Sequence, residues 1–268
     1  AHRSAVGGLI LSGARPVYVY PEVDRDFGIS MAVTPESIEQ AIFRHPRAKA
    51  VFVVNPTYYG VAADLERIVE IAHRNGLPVL VDEAHGAHLR FHPDLPPSSM
   101  EAGADLAAVS VHKLMGSMTQ SSVLLLKGNL VDPQRVKSVL NIFQTTSPSY
   151  VLLSSLDVAR KQAALRGREL VDRTLRLAWR VRKAIRGIPG LTLLDEEMVG
   201  MPGCWGLDIT KVVVNVQRLG MSGLEMERLL RNRYGIQVEL SDLYNVIFLI
   251  SMGDTEESVD YLVRCLQE

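Results

Sequence analysis

Up to about residue 130 the apolar positions fall into two alternating patterns. Short β-branched runs occur at Pro16–Tyr20, Ala50–Val54, Pro78–Asp82, Leu106–Val111 and Val123–Lys127. Each is short enough for a strand and apolar enough to be buried on both sides. Helical stretches lie between several of them. The segment from Pro35 to Phe43 has proline at a first-turn position, Thr34 before it as a cap and Glu36 next in line. The segment from Asp64 to Gly76 repeats apolar residues at Leu65, Ile68, Val69 and Ala72 and stops at glycine. Before all of these, Ala5 to Leu11 is apolar and helix-like. Strand–helix alternation of this kind predicts an α/β fold with a mostly parallel sheet flanked by helices.

From Ser149 to about Arg186 the pattern is one long helix, rich in Leu, Ala, Arg and Glu and free of proline. Ile188–Gly190 breaks it. The remainder of the chain reads as a small C-terminal α/β subdomain. Its strands are expected near Leu191–Leu194, Asp208–Val214 and Val246–Ser251, and its helices near Gly223–Tyr234 and Thr255–Leu266. The expected division is a sheet domain over 1–146, a connecting helix over 147–187 and the small unit over 188–268. No internal repeat or low-complexity segment interrupts it.

Composition adds limits. The 268 residues are 47% hydrophobic and 22% charged, enough for a sizeable core. The net charge of −1 gives no basic face for nucleic acid. Two cysteines, Cys204 and Cys265, do not make a disulfide framework, so the chain reads as cytoplasmic. No apolar run nears the roughly 18 residues of a membrane-spanning helix, and no signal peptide opens the chain. It begins with Ala1 in what reads as the middle of a protein, so a truncated chain is expected.

Chemistry gathers at strand ends. Ser110–Lys113 (SVHK) closes an apolar run and puts a lysine beside a hydroxyl and an imidazole. That set suits imine formation with an aldehyde cofactor carrying a phosphate. Taken alone, Lys113 reads equally as an exposed lysine. Val81–His85 (VDEAH) supplies a carboxylate at another strand end. Asp82 could keep a pyridine nitrogen protonated, or could simply cap the next turn. The same letters mark a helicase-type nucleotide site, but no phosphate-cradling glycine loop stands upstream. At Val53–Gly60, Asn55 or Thr57 could contact a cofactor ring substituent, although turn chemistry explains both. The order carries more than its parts. Asn55, Asp82 and Lys113 each end a strand and stand about one βα unit, roughly 30 residues, apart, so all three can meet at one sheet edge.

Asparagine, then aspartate, then S-x-H-K resembles the fold-type I pyridoxal-phosphate enzymes. The stretch from Val81 to Gly128 is similar, more narrowly, to the bacterial ornithine/lysine/arginine decarboxylases. So are the opening His2–Val19, the segment Gln144–Arg160 and the segment Gly235–Ser258. The resemblance covers nearly the whole chain.

It implies a lyase, a homodimeric cytoplasmic enzyme of polyamine biosynthesis. Pyridoxal 5'-phosphate would be its cofactor and arginine, lysine or ornithine its substrate. Lys113 would be the Schiff-base lysine and Asp82 the partner of the pyridine nitrogen. His2 would stack on the ring, with Ala84 against the opposite face. Ser110 and His112 would contact the phosphate side, and His85 would lie near the ring hydroxyl or the substrate. Thr146 and Ser147 would reach the partner's site while also capping the long helix. Glu239 would meet the distal cation of the substrate.

Relatives carry a further phosphate-gripping segment before the stacking histidine, and a C-terminal domain. Another fold-type I reaction (amino transfer or aldol cleavage) and a non-catalytic remnant remain alternatives. His88 and His92, four apart in a proline-rich loop, are not read as metal ligands. Leu114, Met115 and Met118 are read as pocket or core filling.

Overall fold

A computed structural model describes residues 2–268. Helix α1 (Arg3–Ser12) begins where His2 Nδ1 accepts from the Ser4 amide and ends at Gly13 in the left-handed region. It has no buried residue. The expected strand at Pro16–Tyr20 does not form. Its β-branched pattern is real, but no neighbouring strand pairs with it, and Val17, Tyr18 and Tyr20 stay exposed. Strands β1 (Val23–Asp24) and β2 (Ile29–Ser30) form a small antiparallel pair. Helix α2 (Pro35–Arg44) starts on the predicted Thr34 cap, which accepts from the Ser37 amide.

The central elements follow in order: β3 (Val51–Val54), β4 (Val61–Ala62), α3 (Leu65–Arg74), β5 (Val79–Asp82), β6 (Leu106–Val109), the single turn α4 (Val111–Leu114) and β7 (Val123–Leu126). Asp64 caps α3 by accepting from the Arg67 amide. The sheet order is β3-β5-β6-β7, with the first three parallel and β7 antiparallel at the edge. In register, Val54 pairs with Asp82 and Asp82 with Ala108, so these strand ends lie side by side.

Two helices come next, α5 (Pro133–Phe143), which the apolar pattern did not announce, and α6 (Tyr150–Ile185). The cap of α6 is Ser149, which accepts from the Leu152 amide, and not Thr146 or Ser147. A cap must sit immediately before the first helical residue, and those two lie in the segment ahead of it, where Ser147 donates its amide to Thr145. The remaining elements are β8 (Thr192–Leu193), β9 (Gly206–Leu207), β10 (Lys211–Asn215), α7 (Gly223–Tyr234), β11 (Leu240–Ser241), β12 (Asn245–Leu249) and α8 (Glu256–Gln267). Four of these strands form an antiparallel sheet in the order β11-β12-β10-β8.

The buried half of α6 joins this sheet through Leu177, Ala178, Val181 and Ile185. Each of the three larger side chains contributes about 1.5–3 kcal/mol on burial. Arg182 on the same face is fully buried, and donates to the carbonyls of Leu194, Ile209 and Lys211 and to Asp195. It thus satisfies backbone groups that bracket the start of β10. The two sheets are not independent. β4 pairs with β9, and Leu194, Leu207, Val213 and Ile247 belong to the core of the first sheet. The tertiary packing therefore crosses the boundary expected at 188. Both cysteines are free and buried, and among the described residues no helix is long and apolar enough to cross a membrane.

Candidate active site

The carboxyl ends of β3, β5 and β6 bring the predicted residues together. The Asn55 amide donates to the Asp82 carbonyl at 3.0 Å, and the Glu83 amide donates to the Ala108 carbonyl at 3.0 Å. Just past β6, α4 carries Lys113 on its third position, exposed to solvent. Ser110 is the residue before α4, and its side chain makes no capping bond. Asp82 Oδ1 accepts from the Ala84 amide at 3.2 Å, a bond inside its own turn that leaves the other carboxylate oxygen for a further partner. An amine, a carboxylate, a small residue at position 84 and an uncommitted hydroxyl fit pyridoxal 5'-phosphate in kind.

Around Lys113 a cluster forms that the sequence pattern did not reveal. Lys113 Nζ lies 3.0 Å from His85 Nε2, and Lys211 Nζ lies 3.1 Å from His85 Nδ1. The imidazole is thus held between two amines. Its pKa is lowered to about 3, by burial first and then by Lys211 and Lys113. Lys211 comes from the first position of β10 and has no exposed surface. Burial lowers its pKa, opposed by Asp208 and Glu239. Its ammonium also lies 5.5 Å from the ring centre of Tyr58, which packs at 60° on His85 with 4.5 Å between ring centres. Tyr58 in turn donates its hydroxyl to Glu239 Oε1 at 2.6 Å, and burial, with that bond, raises its pKa.

A second buried group supports Lys211. Asp208 is fully buried. It lies 3.1 Å from His88 Nε2 and accepts from the Thr210 hydroxyl at 2.6 Å. Burial alone would raise its pKa, but His88, Lys211 and Thr210 outweigh burial and lower it to about 2. Gly60, at φ +86, lets the Asn55–Gly60 turn approach this region. A Cβ there would stand 2.9 Å from the Asp208 carbonyl oxygen and 3.1 Å from Lys211 Cβ. The signal for Lys211 was present in the sequence as a single charge opening the apolar run KVVVNV. Its contacts with His85 and Tyr58 span more than a hundred residues, so local pattern alone cannot assign it a role.

The other singled-out residues are placed as follows. Asn55 is buried and its carboxamide oxygen accepts from the Ala63 amide at 2.8 Å, while Thr57 Oγ1 accepts from the Val61 amide at 3.1 Å. These acceptors serve the turn, as turn chemistry predicts. His112 Nδ1 donates to the Ser121 carbonyl at 2.7 Å, which leaves Nε2 as an acceptor in the neutral ring. His2 is exposed and bonded to Ser4, and Thr146 and Ser147 are exposed. Leu114 and Met115 are buried, whereas Met118 is exposed and so fills no core. His88 and His92 diverge, His88 to Asp208 and His92 toward Asp94 and Asp172. Glu83 is 2% exposed and accepts from the Ser99 amide, so VDEAH does not present two carboxylates to one ligand. A cleft of about 1110 Å³ runs between residues 89–97 and α6; His92 lines it, but Asp82, His85, Lys113 and Lys211 do not.

The family described as "Orn/Lys/Arg decarboxylase, major domain" matches residues 1–213. The chain is 49% identical over 267 residues to an arginine decarboxylase of Bacillus cereus, covering all of this chain and 58% of that protein. It is 48% identical to an arginine decarboxylase of Bacillus subtilis, again over all of this chain and 54% of the relative. The chain therefore spans little more than half the length of these curated relatives. Among solved structures, lysine decarboxylase A from Pseudomonas aeruginosa superposes with a TM-score of 0.83 at 25% identity, over 99% of this chain and 44% of that one. The architecture is that of the fold-type I pyridoxal-phosphate enzymes. With its strand-end lysine and aspartate in the arrangement the motif order predicted, the chain belongs to the Orn/Lys/Arg decarboxylase family.

Proposed function

We propose that this chain is the catalytic core of a pyridoxal-phosphate-dependent decarboxylase that converts a basic amino acid, arginine foremost, to its amine and carbon dioxide. The observation that carries this reading is Asp82 at the end of β5 and Lys113 on the turn α4 that follows the adjacent strand β6, with the Tyr58–Glu239 pair beside the cluster that contains Lys113. Arginine is favoured among basic substrates because the relatives at 48–49% identity carry that name. When bound, the cofactor supplies an aldehyde for amines and a ring that takes up an electron pair. Lys113 would hold it, and Asp82 would pair with its ring nitrogen. Ser110 and His112 would face the phosphate, with Ala84 and His2 on the two ring faces. Glu239, braced by Tyr58, would attract the distal cation of the substrate. Lys113 Nζ and His85 Nε2, 3.0 Å apart, would hold and return a proton. Thr146 and Ser147 would reach the site of a second copy in a cytoplasmic homodimer.

The test is direct. The full chain with added cofactor should develop the absorbance of a lysine-bound cofactor and release carbon dioxide from arginine faster than from lysine or ornithine. A Lys113→Ala protein that still developed that absorbance would sink the assignment. Equal rates on all three substrates would remove the preference for arginine.

A further inference from the structure

The turn after β5 meets the start of β10 through two histidines, three residues apart. His85 Nδ1 lies 3.1 Å from Lys211 Nζ. His88 Nε2 lies 3.1 Å from Asp208 Oδ2 and 3.4 Å from Thr210 Oγ1. The two contacts differ in stiffness. A lysine amine sits on a flexible four-carbon stem and can follow its partner. Histidine and aspartate have two side-chain torsions each, and here both are buried, His88 at 3% exposure and Asp208 with none. The contact that can hold the turn in place is therefore the one at His88, and not the one at His85.

Each end of that contact is anchored in a turn. Asp208 Oδ1 accepts from the Thr210 amide at 3.1 Å and from the Thr210 hydroxyl at 2.6 Å, and the Asp208 amide donates to the Gly60 carbonyl at 2.8 Å. Only Oδ2 is left to face outward. On the other side, the Gly86 amide donates to the Glu83 carbonyl at 2.9 Å, and the Leu89 amide to the Gly86 carbonyl at 3.1 Å. A Cβ at Gly86 would stand 2.6 Å from Glu83 Cγ and 3.1 Å from Pro56 Cδ, so the turn that bears both histidines is close-packed. The donor at the contact follows from the acceptors. Asp208 is held ionised, and the one hydrogen of the Thr210 hydroxyl goes to Oδ1. His88 Nε2 thus faces two acceptors and must itself carry a proton, in the neutral ring and in the imidazolium alike.

We propose that His88 is a positioning residue for His85: its Nε2–H, shared between Asp208 and Thr210, pins the turn after β5 to the start of β10 and so sets the 3.0 Å separation of His85 Nε2 from Lys113 Nζ. A misplacement of about 1 Å at a reacting group can cost on the order of a hundredfold in rate, so a strut behind His85 bears on the reaction without touching the substrate. This rests on the reading of Lys113 and His85 as the pair that handles the proton, and deepens it by giving the buried His88 and Asp208 a role that acts through His85.

Nitrogen-15 NMR of the full chain, labelled at histidine, reads the donor directly. His88 should be protonated at Nε2, and a bare Nε2 in the unaltered protein would overturn the proposal whether or not any variant folds. Kinetics of the cofactor-loaded chain with arginine give the second readout. His88→Leu should lower kcat about tenfold, the rate equivalent of one lost hydrogen bond, with KM little changed. His88→Gln, which places an amide N–H at the reach of Nε2, should restore most of it. In a His85→Asn background His88→Leu should have little further effect; an equal loss with and without His85 would show a merely structural role and refute positioning. Should His88→Leu fail to fold, His88→Asn, polar but too short to place a donor at Nε2, carries the same comparison. A His85→Asn protein with unchanged kcat would instead refute the reading of His85 as a proton-handling group. Positioning is then judged by the His85 ring signals, which should move in His88→Leu and stay in His88→Gln; unmoved signals would refute it.

Discussion

The hydroxyl of Tyr58 donates to Glu239 Oε1 at 2.6 Å across 181 positions of sequence. This bond ties the turn after β3 to the segment before β11, and it fixes a carboxylate that is otherwise on the surface. Tyr58→Phe keeps the ring against His85 and beneath Lys211 but frees Glu239. Because the carboxylate is exposed, the loss should be near the lower end for a bond to a charged group, about 1 kcal/mol. The expected outcome in steady-state kinetics with arginine is a KM raised about fivefold with kcat little changed. An unchanged KM would separate Glu239 from substrate binding.

Asp82 ends β5, next to the strand that leads into Lys113, and has one oxygen left over from its own turn. Asp82→Asn preserves shape and removes the charge. Losing one partner of a desolvated charge pair costs about 2–5 kcal/mol, so carbon dioxide release should fall at least about thirtyfold. Bound-cofactor absorbance should shift as well. Retained activity would show that the ring nitrogen has another partner.

Glu83 behaves differently from its neighbour. Its carboxyl is 2% exposed and its pKa is raised to about 7, by burial first, with the Ser99 bonds opposing and Glu101 adding to the rise. The folded state keeps a proton that the unfolded chain releases at ordinary carboxylate pH. Stability is therefore greatest below about pH 4.5 as far as this group is concerned, and falls as pH rises toward about 7, by on the order of 3 kcal/mol. Glu83→Gln cannot ionise and can still accept from the Ser99 amide. Urea unfolding at pH 5 and pH 8 should show a smaller difference in the variant than in the unaltered chain. The same pH dependence in both would mean that Glu83 does not titrate in this range.

Gly60 is the close-approach point between the turn after β3 and the start of β10. Its φ is +86, and the Asp208 carbonyl oxygen lies 2.9 Å from where a Cβ would stand, so an added methyl meets backbone and not a yielding side chain. Gly60→Ala should destabilise the fold by about 1–3 kcal/mol through strain and displacement. Thermal unfolding measures the loss. The variant should also disturb the histidine NMR signal of His85, because the displaced atoms include those of Lys211.

Much of this protein was readable along the chain because local rules act over a few residues. Thr34 and Asp64 cap their helices as the side-chain acceptor rule requires, and α6 runs between Ser149 and Arg186 as its uninterrupted helical composition implies. Asn55 and Asp82 are one βα unit apart as expected, with α3 between β3 and β5, but no α-helix joins β5 to β6; the parallel register alone sets the end of β6, and the turn α4 that carries Lys113, beside them. Where the chain needed a distant partner, local pattern failed. Pro16–Tyr20 has the composition of a strand but no neighbour to pair with, and the cap of α6 fell on Ser149 because only that position adjoins the helix.

By itself, then, the sequence determined the caps of α2 and α3, the strands of the central sheet, the order of the site residues and Lys113 and Asp82 as the pair to watch. Only the tertiary structure decided what surrounds them. Lys211, Tyr58, Asp208 and Glu239 converge on His85 and its neighbours because β10 and the residues before β11 pack against the ends of a sheet formed far earlier in the chain. The contacts of 3.1 Å between His85 and Lys211 and 2.6 Å between Tyr58 and Glu239 join residues more than a hundred positions apart, and no spacing along the sequence encodes those.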